Sequence, residues 1–187
     1  YGLRTKMIER SQHFKEKYFS KSSTSRVISG EDDWLFLNKG GMLEDFIGQA
    51  TLDEPTLSLW QQNLIDKQRM LGKLGIEYFF VPIPNKMTVY PKYLPEYIRA
   101  LAGTTRLDQF LSYLQQQDRF NAYADLKPAL SAYQASNPGD YLYFKTDTHW
   151  NSLGAFIAYT QIMQQLSMRF PEISPPLAMQ EMHREPR

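Results

Sequence analysis

Leu74-Gly75-Ile76-Glu77-Tyr78-Phe79-Phe80-Val81-Pro82 is the stretch that decides the fold. Before it, Leu57, Trp60, Leu64, Leu71 and Leu74 recur at helical spacing, which predicts a helix over residues 56–74 with one apolar face. Gly75 is placed to end that helix, because glycine enters the left-handed region without a steric cost. After it, residues 76–81 are nearly continuous in apolar and β-favouring side chains. A strand buried on both faces reads this way, as parallel strands do. Helix, glycine and buried strand make half of a crossover unit.

Working outward, the pattern repeats. A helix is predicted over residues 105–117 with Leu107, Phe110, Leu111 and Leu114 inward, and another near 125–135. The last, over 152–170, carries Phe156, Met163, Leu166 and Phe170, with Asn151 suited to cap it. Trp34-Leu35-Phe36-Leu37 before Gly40-Gly41 reads as a strand and turn, and residues 141–145 as a further strand. Helices alternating with apolar strands predict an α/β domain, a mainly parallel sheet flanked by helices. Ligands in such sheets bind beyond the carboxyl ends of the strands. Two loops occupy that position: Pro82-Ile83-Pro84-Asn85-Lys86, and Thr146-Asp147-Thr148-His149-Trp150-Asn151.

The 187 residues suffice for one domain with a core. With 21 basic and 20 acidic residues and no basic stripe, nucleic acid is not an expected partner. The apolar runs are far shorter than the roughly 18 residues of a membrane span. The absence of cysteine excludes disulfides, thiolate catalysis and cysteine-ligated zinc. Residues 1–29 read as an amphipathic helix (Leu3, Met7, Phe14, Tyr18) followed by a Ser/Thr-rich linker, and residues 30–187 as the domain, with an irregular tail from Pro171. Because the chain opens at Tyr1 rather than Met, a preceding export signal or anchor is expected.

Asp147 and His149 carry the chemistry. An ionised Asp can fix an imidazole in one tautomer and stabilise it as imidazolium, the supporting roles in a hydroxyl-nucleophile triad. The bland alternative is an Asp that caps a turn beside a His filling a half-buried niche, and placement on a strand-end loop weighs against it. A metal site would need His13 or His183 as a further ligand; the first lies on a charged helix and the second in a proline-flanked tail. Asn85 and Lys86 are candidate donors to an oxyanion or a carboxylated substrate. Spacing alone favours the plainer reading, Asn85 as a turn former and Lys86 as a solvated surface charge. No Gly-x-Ser-x-Gly elbow exists. Ser152 falls in the first turn of the last helix, Ser167 inside it and Ser174 in the tail, so spacing supplies a base and its orienter without a hydroxyl to activate.

Thr146-Asp147-Thr148-His149-Trp150-Asn151, followed by Gly154-Ala155, resembles the Asp-x-His segment of the AlgX/AlgJ-type polysaccharide O-acetyltransferases. These are SGNH-hydrolase-like proteins of alginate and related exopolysaccharide assembly. Gly30-Glu31-Asp32-Asp33-Trp34-Leu35-Phe36 is similar to that family as well, as is Val81-Pro82-Ile83-Pro84-Asn85-Lys86 with Tyr90-Pro91 and Leu94-Pro95, in the same order. The resemblance implies a flavodoxin-related SGNH-hydrolase-like fold with permuted strand order. The nucleophilic serine would then lie downstream of the Asp-His pair in a Gly-Asp-Ser type turn. Residues 150–187 contain no such turn, so the resemblance implies the N-terminal part of a longer acetyltransferase domain, incomplete and inactive alone, with a divergent or inactive homologue as the alternative.

The implied activity is O-acetyl transfer to an exported polysaccharide, alginate or similar, with Asp147 orienting His149 and His149 acting as base. Neither a metal nor a bound cofactor is implied; an acetyl donor of unknown identity is. The implied partners are the polysaccharide and other exopolysaccharide-assembly proteins. The implied location is periplasmic or otherwise exported, with anchoring through a preceding segment. A carbohydrate acetyl esterase and a non-catalytic polysaccharide-binding module are the alternatives.

Overall fold

Each predicted helix within residues 26–178, which the computed structural model describes, is present, and local chemistry sets its start. The N-terminal amphipathic helix predicted over residues 3–19, His13 and His183 lie outside the described residues. Two short strands, β1 (Val27–Ser29) and β2 (Leu35–Leu37), pair antiparallel with Ile28 opposite Phe36. The linker expected up to residue 30 therefore ends in a strand. Between them the chain turns through Asp32 and Asp33, both at positive φ (52° and 63°), a conformation that Asp tolerates better than most residues.

Helix α1 (Met42–Phe46) follows, then α2 (Glu54–Gly72), whose N-cap Asp53 accepts from the Thr56 N–H. The short α3 (Lys86–Val89) and α4 (Glu96–Arg99) flank a 3-10 turn at Pro91–Tyr93. Helix α5 (Arg106–Gln117) opens on a reciprocal capping box between Thr105 and Asp108. Its Phe110, Leu111 and Leu114 are buried, as their spacing predicts. Helices α6 (Lys127–Ser136) and α7 (Ser152–Arg169) pack on each other, and Asn151 caps α7 by accepting from the Gly154 N–H.

The sheet departs from expectation. Residues 76–81 run extended and join residues 122–124 in parallel fashion: Phe80 N–H donates to Ala122 O (2.8 Å) and Ala124 N–H to Phe80 O (3.0 Å). Among the described residues this contact is a single bridge rather than a ladder. Ile76 is 49% exposed and Leu74 71%, so the apolar run is not enclosed on both faces. The reason is physical: a strand becomes doubly buried only when neighbours and helices cover it, and residues 76–81 pair on one side alone. Residues 141–145, predicted as a strand, form one arm of a tight antiparallel turn instead, with Tyr143 bridging to Trp150.

The core has two parts. The larger surrounds Trp34, Phe36, Tyr90, Leu94, Leu126, Leu130 and Leu142; the smaller joins Leu64 of α2 to Phe110, Leu114 and Phe120. Phe79 touches both. Gly154 matters for the first, because a Cβ there would lie 2.2 Å from Leu142 O and 3.0 Å from Trp150 Cβ. Its bare Cα lets the start of α7 sit directly on the 142–151 turn, where Asn151 N–H donates to Leu142 O (2.9 Å).

Gly154→Ala is expected to destabilise the chain by about 1–3 kcal/mol, the cost of forcing atoms into filled space. Gly72→Ala, with nothing within 4 Å of the added carbon, is the control and should be neutral or slightly stabilising. Urea unfolding of the two variants checks the contrast.

Candidate active site

Asp147 sits at the tip of the 142–151 turn, and one of its carboxylate oxygens makes two bonds to a single residue. Oδ1 accepts from the His149 backbone N–H at 2.9 Å and lies 2.6 Å from His149 Nδ1. An ionised carboxylate only accepts, so Nδ1 carries the hydrogen and Nε2 of the neutral ring is left as the acceptor. This is the orientation a general base at Nε2 requires. The i,i+2 spacing produces it locally, since the same oxygen that closes the turn on the backbone also meets the ring. The His149 N–H, first from the backbone and then from the ring, holds the Asp147 carboxyl below the usual aspartate range.

The two side chains are open to solvent, His149 at 80% and Asp147 at 56%. His149 lies at the rim of a cleft of about 300 Å³ whose walls include Phe36, Leu37, Met42, Ile83, Asn85 and Trp150. The two loops singled out in the sequence therefore line one cavity. Asn85 caps α3, its Oδ1 accepting from the Met87 N–H (3.0 Å). That bond identifies which end of the amide is oxygen and leaves the NH₂ group as a donor at the cleft wall.

Lys86 corrects the expectation of a substrate-binding cation and of a solvated charge alike. It is buried, 4% exposed. Its Nζ lies 2.8 Å from Leu35 O, 2.7 Å from Phe144 O, 2.7 Å from Lys145 O and 3.0 Å from Asp147 O. An ammonium has three N–H groups, so four carbonyls already exceed its capacity and none remains for a substrate. The rings of Trp34 and Phe36 lie 4.7 Å and 5.1 Å from the same nitrogen. Burial pulls the group down to about 8, and the Asp147 charge opposes that pull; the ammonium form persists at neutral pH.

Sequence reasoning passed over Tyr90 and Tyr143, which brace the site from beneath. The Tyr143 hydroxyl donates to Pro84 O (2.7 Å), and the Leu142 N–H donates to the Tyr90 hydroxyl (2.7 Å). Both rings are buried, and burial pushes both phenols up. Tyr90 was met only within the family resemblance and Tyr143 only inside the predicted strand 141–145. Among the described residues no hydroxyl bonds His149, and Ser152 stands exposed as the first residue of α7. No group of three His, Asp or Glu side chains that could hold a metal occurs among the described residues. No described helix is long and apolar enough to cross a membrane.

Comparison with known proteins fits this geometry into a family. Residues 27–185 match the family described as SGNH hydrolase-like domain, acetyltransferase AlgX. The chain belongs to that family. Among its relatives is the protein named "Probable alginate O-acetylase AlgJ" of Pseudomonas putida, 28% identical over 144 residues, covering 75% of this chain and 34% of the relative. The protein of the same name from Pseudomonas syringae pv. tomato is 24% identical over 145 residues, covering 78% and 34%. In three dimensions the chain is similar to the O-acetyltransferase domain of Pseudomonas putida AlgJ (TM-score 0.52, 24% identity, 78% of this chain and 48% of that one). It is also similar to Bacillus cereus PatB1 with a sulfonyl adduct (TM-score 0.53, 22% identity, 81% and 48%). The fold is thus SGNH hydrolase-like, and the chain spans about a third of the AlgJ relatives' length and about half of the solved domains.

A carboxyl depressed by its partner stabilises the turn above its unfolded value and loses that contribution as pH falls through the lower folded value. The Asp147 side-chain carbon, followed by NMR, should titrate below the usual midpoint of about 3.9. In His149→Ala the midpoint should rise only part of the way, because the backbone N–H bond survives. A full return to the ordinary value would show that the ring, not the backbone, dominates.

Proposed function

We propose that this chain is the Asp-His-bearing portion of an O-acetyltransferase that modifies an exported polysaccharide, alginate or a similar polymer. The observation that carries the reading is the His149 ring held at Nδ1 by Asp147 Oδ1 at 2.6 Å, with His149 among the residues that line an apolar cleft. Membership of an acetyltransferase family and similarity to proteins named as alginate O-acetylases support it.

In this reading a serine from a part of the protein outside these residues completes the triad. His149 Nε2 takes the serine hydroxyl proton as the oxygen bonds to the acetyl carbonyl of the donor. Ionised Asp147 stabilises the resulting imidazolium and keeps the ring in place. The tetrahedral oxyanion is met by backbone amides near the serine and by the Asn85 NH₂ at the cleft wall. Collapse breaks the bond to the donor's leaving group, which receives the proton from His149. A sugar hydroxyl then gives its proton to His149 and attacks the acetyl-serine; the serine oxygen leaves, takes that proton back from His149, and the acetylated glycan is released. The apolar walls from Phe36, Leu37, Met42 and Trp150 suit an acetyl group. The protein is placed in the periplasm or otherwise outside the cytoplasm, alongside other exopolysaccharide-assembly proteins, because its polymer substrate is there.

The openness of the pair favours a second reading. A base exposed at 80% admits water as readily as a sugar, and the same chemistry with water as acceptor is a carbohydrate acetyl esterase. A chromogenic acetyl ester supplied to the complete protein with and without acceptor glycan separates the two. Transfer predicts acetylated glycan and faster turnover with acceptor present; hydrolysis predicts acetate at a rate indifferent to it.

In the complete protein His149→Ala should lower acetyl transfer by about 10⁴-fold or more with an unchanged circular dichroism spectrum. Asn85→Ala should cost about 10²–10³-fold in kcat, the scale of one oxyanion donor. Retained transfer in His149→Ala removes it from the mechanism.

A further inference from the structure

We propose that Lys86 is a positioning residue for the Asp147–His149 pair: its buried ammonium fixes the 144–147 backbone in the conformation from which Asp147 Oδ1 reaches His149 Nδ1. The carbonyls of Phe144, Lys145 and Asp147 all converge on Lys86 Nζ at 2.7–3.0 Å. The fourth, Leu35 O at 2.8 Å, belongs to β2. Leu35 also donates its N–H to Lys145 O at 2.8 Å. The turn that carries Asp147 is therefore tied to the β1–β2 hairpin through one nitrogen and one backbone bond.

Packing of the catalytic side chains cannot do this, since both stand exposed above the surface. Other contacts brace the ends of the turn. Asn151 N–H reaches Leu142 O, and Phe144 N–H reaches His149 O at 3.2 Å. The Lys145 ammonium reaches out to Asp32 O (3.1 Å). Among the described residues, Lys86 alone bonds the carbonyl of Asp147 itself. Lysine suits the task because all its donors radiate from one atom, whereas Arg spreads them along a plane. Removing the ammonium would leave the carbonyls of Leu35, Phe144 and Asp147 without their donor and free the turn to rotate.

The inference deepens the acetyltransferase reading, but its test reads the imidazole rather than turnover, so the two can fail separately. The full chain, labelled with ¹⁵N-histidine, is compared as wild type, Lys86→Met and Lys86→Arg just above neutral pH. The His149 signals are assigned by their loss in His149→Ala. In the wild type the neutral ring should carry its hydrogen on Nδ1. In Lys86→Met the Nδ1–H population should fall about threefold, as the ring loses the partner that selects its tautomer. In the complete enzyme kcat should fall roughly a hundredfold with little change in KM, as expected for an ångström-scale misplacement.

A folded Lys86→Met with the wild-type tautomer overturns the proposal and leaves Lys86 a structural residue, whatever its thermal midpoint. If Lys86→Met does not fold, Lys86→Arg decides, because it keeps the charge but not the single-atom fan of donors. A lowered Nδ1–H population in that variant supports positioning, and an unchanged one overturns it. A tautomer shift accompanied by no acetyl transfer in the wild-type complete protein would sink the acetyltransferase reading and leave the positioning role standing.

Discussion

One buried ammonium organises this structure. Taking a lysine charge out of water costs several kcal/mol even after relaxation, and Lys86 offsets that only because four carbonyls and two aromatic faces receive it. The dependence runs both ways. Carbonyls turned inward at residues 35, 144 and 147 would lose the donor they meet here, and Lys145 O would keep only the Leu35 N–H. Three segments far apart in sequence, 34–37, 84–86 and 144–147, therefore meet because each supplies part of what the others lack. Each of the three overlaps a segment whose sequence resembles the family.

The aromatic shell around Lys86 explains the weight of Trp34. Its ring stacks on Tyr93 at 4.5 Å and leans on Tyr90 at 4.4 Å, and Tyr90 in turn holds the Leu142 N–H. Apolar bulk excludes water from the carbonyl cluster, which strengthens each charge-assisted bond within it. Gly30 takes part by permitting close approach: a Cβ there would lie 2.2 Å from Tyr93 O. The β1–β2 hairpin is too short to stand alone. It persists because its inner face, Ile28 and Phe36, belongs to this shell.

What the sequence made legible follows from which interactions are local. The helix start at Asn151 was readable, since its cap is a bond to a residue three positions on; the caps at Asp53 and Thr105, of the same kind, were not picked out. The inward face of α5 was readable because its period is its own. The Asp147–His149 contact was readable for the same reason, being an i,i+2 bond. The sheet was not, because an apolar run such as residues 76–81 states only that a strand is suitable there. Whether it is covered depends on partners elsewhere. Lys86 was misread on similar grounds. Nothing near it in the chain records that four carbonyls await it, and a lysine after Pro-Asn in a loop ordinarily faces water. Tyr143 was missed because the acceptor for its hydroxyl, Pro84 O, lies 59 residues away.

The exposure of the Asp-His pair bears on what sets its precision. A carboxylate–imidazole contact held in water contributes little, so it alone would let the ring wander. Here the second bond of Asp147 Oδ1, to the His149 backbone N–H, fixes the carboxylate relative to the chain before the ring is considered. The Lys86 cluster fixes the chain relative to the sheet. Orientation is built from the backbone outward, and the Nδ1–H bond to the carboxylate has only the last rotation to select. That arrangement lets the imidazole stay open to solvent without losing its aim. In the reaction proposed above, water exclusion, which acyl transfer needs in order to outrun hydrolysis, falls to the apolar wall on one side and to the donor and acceptor on the other.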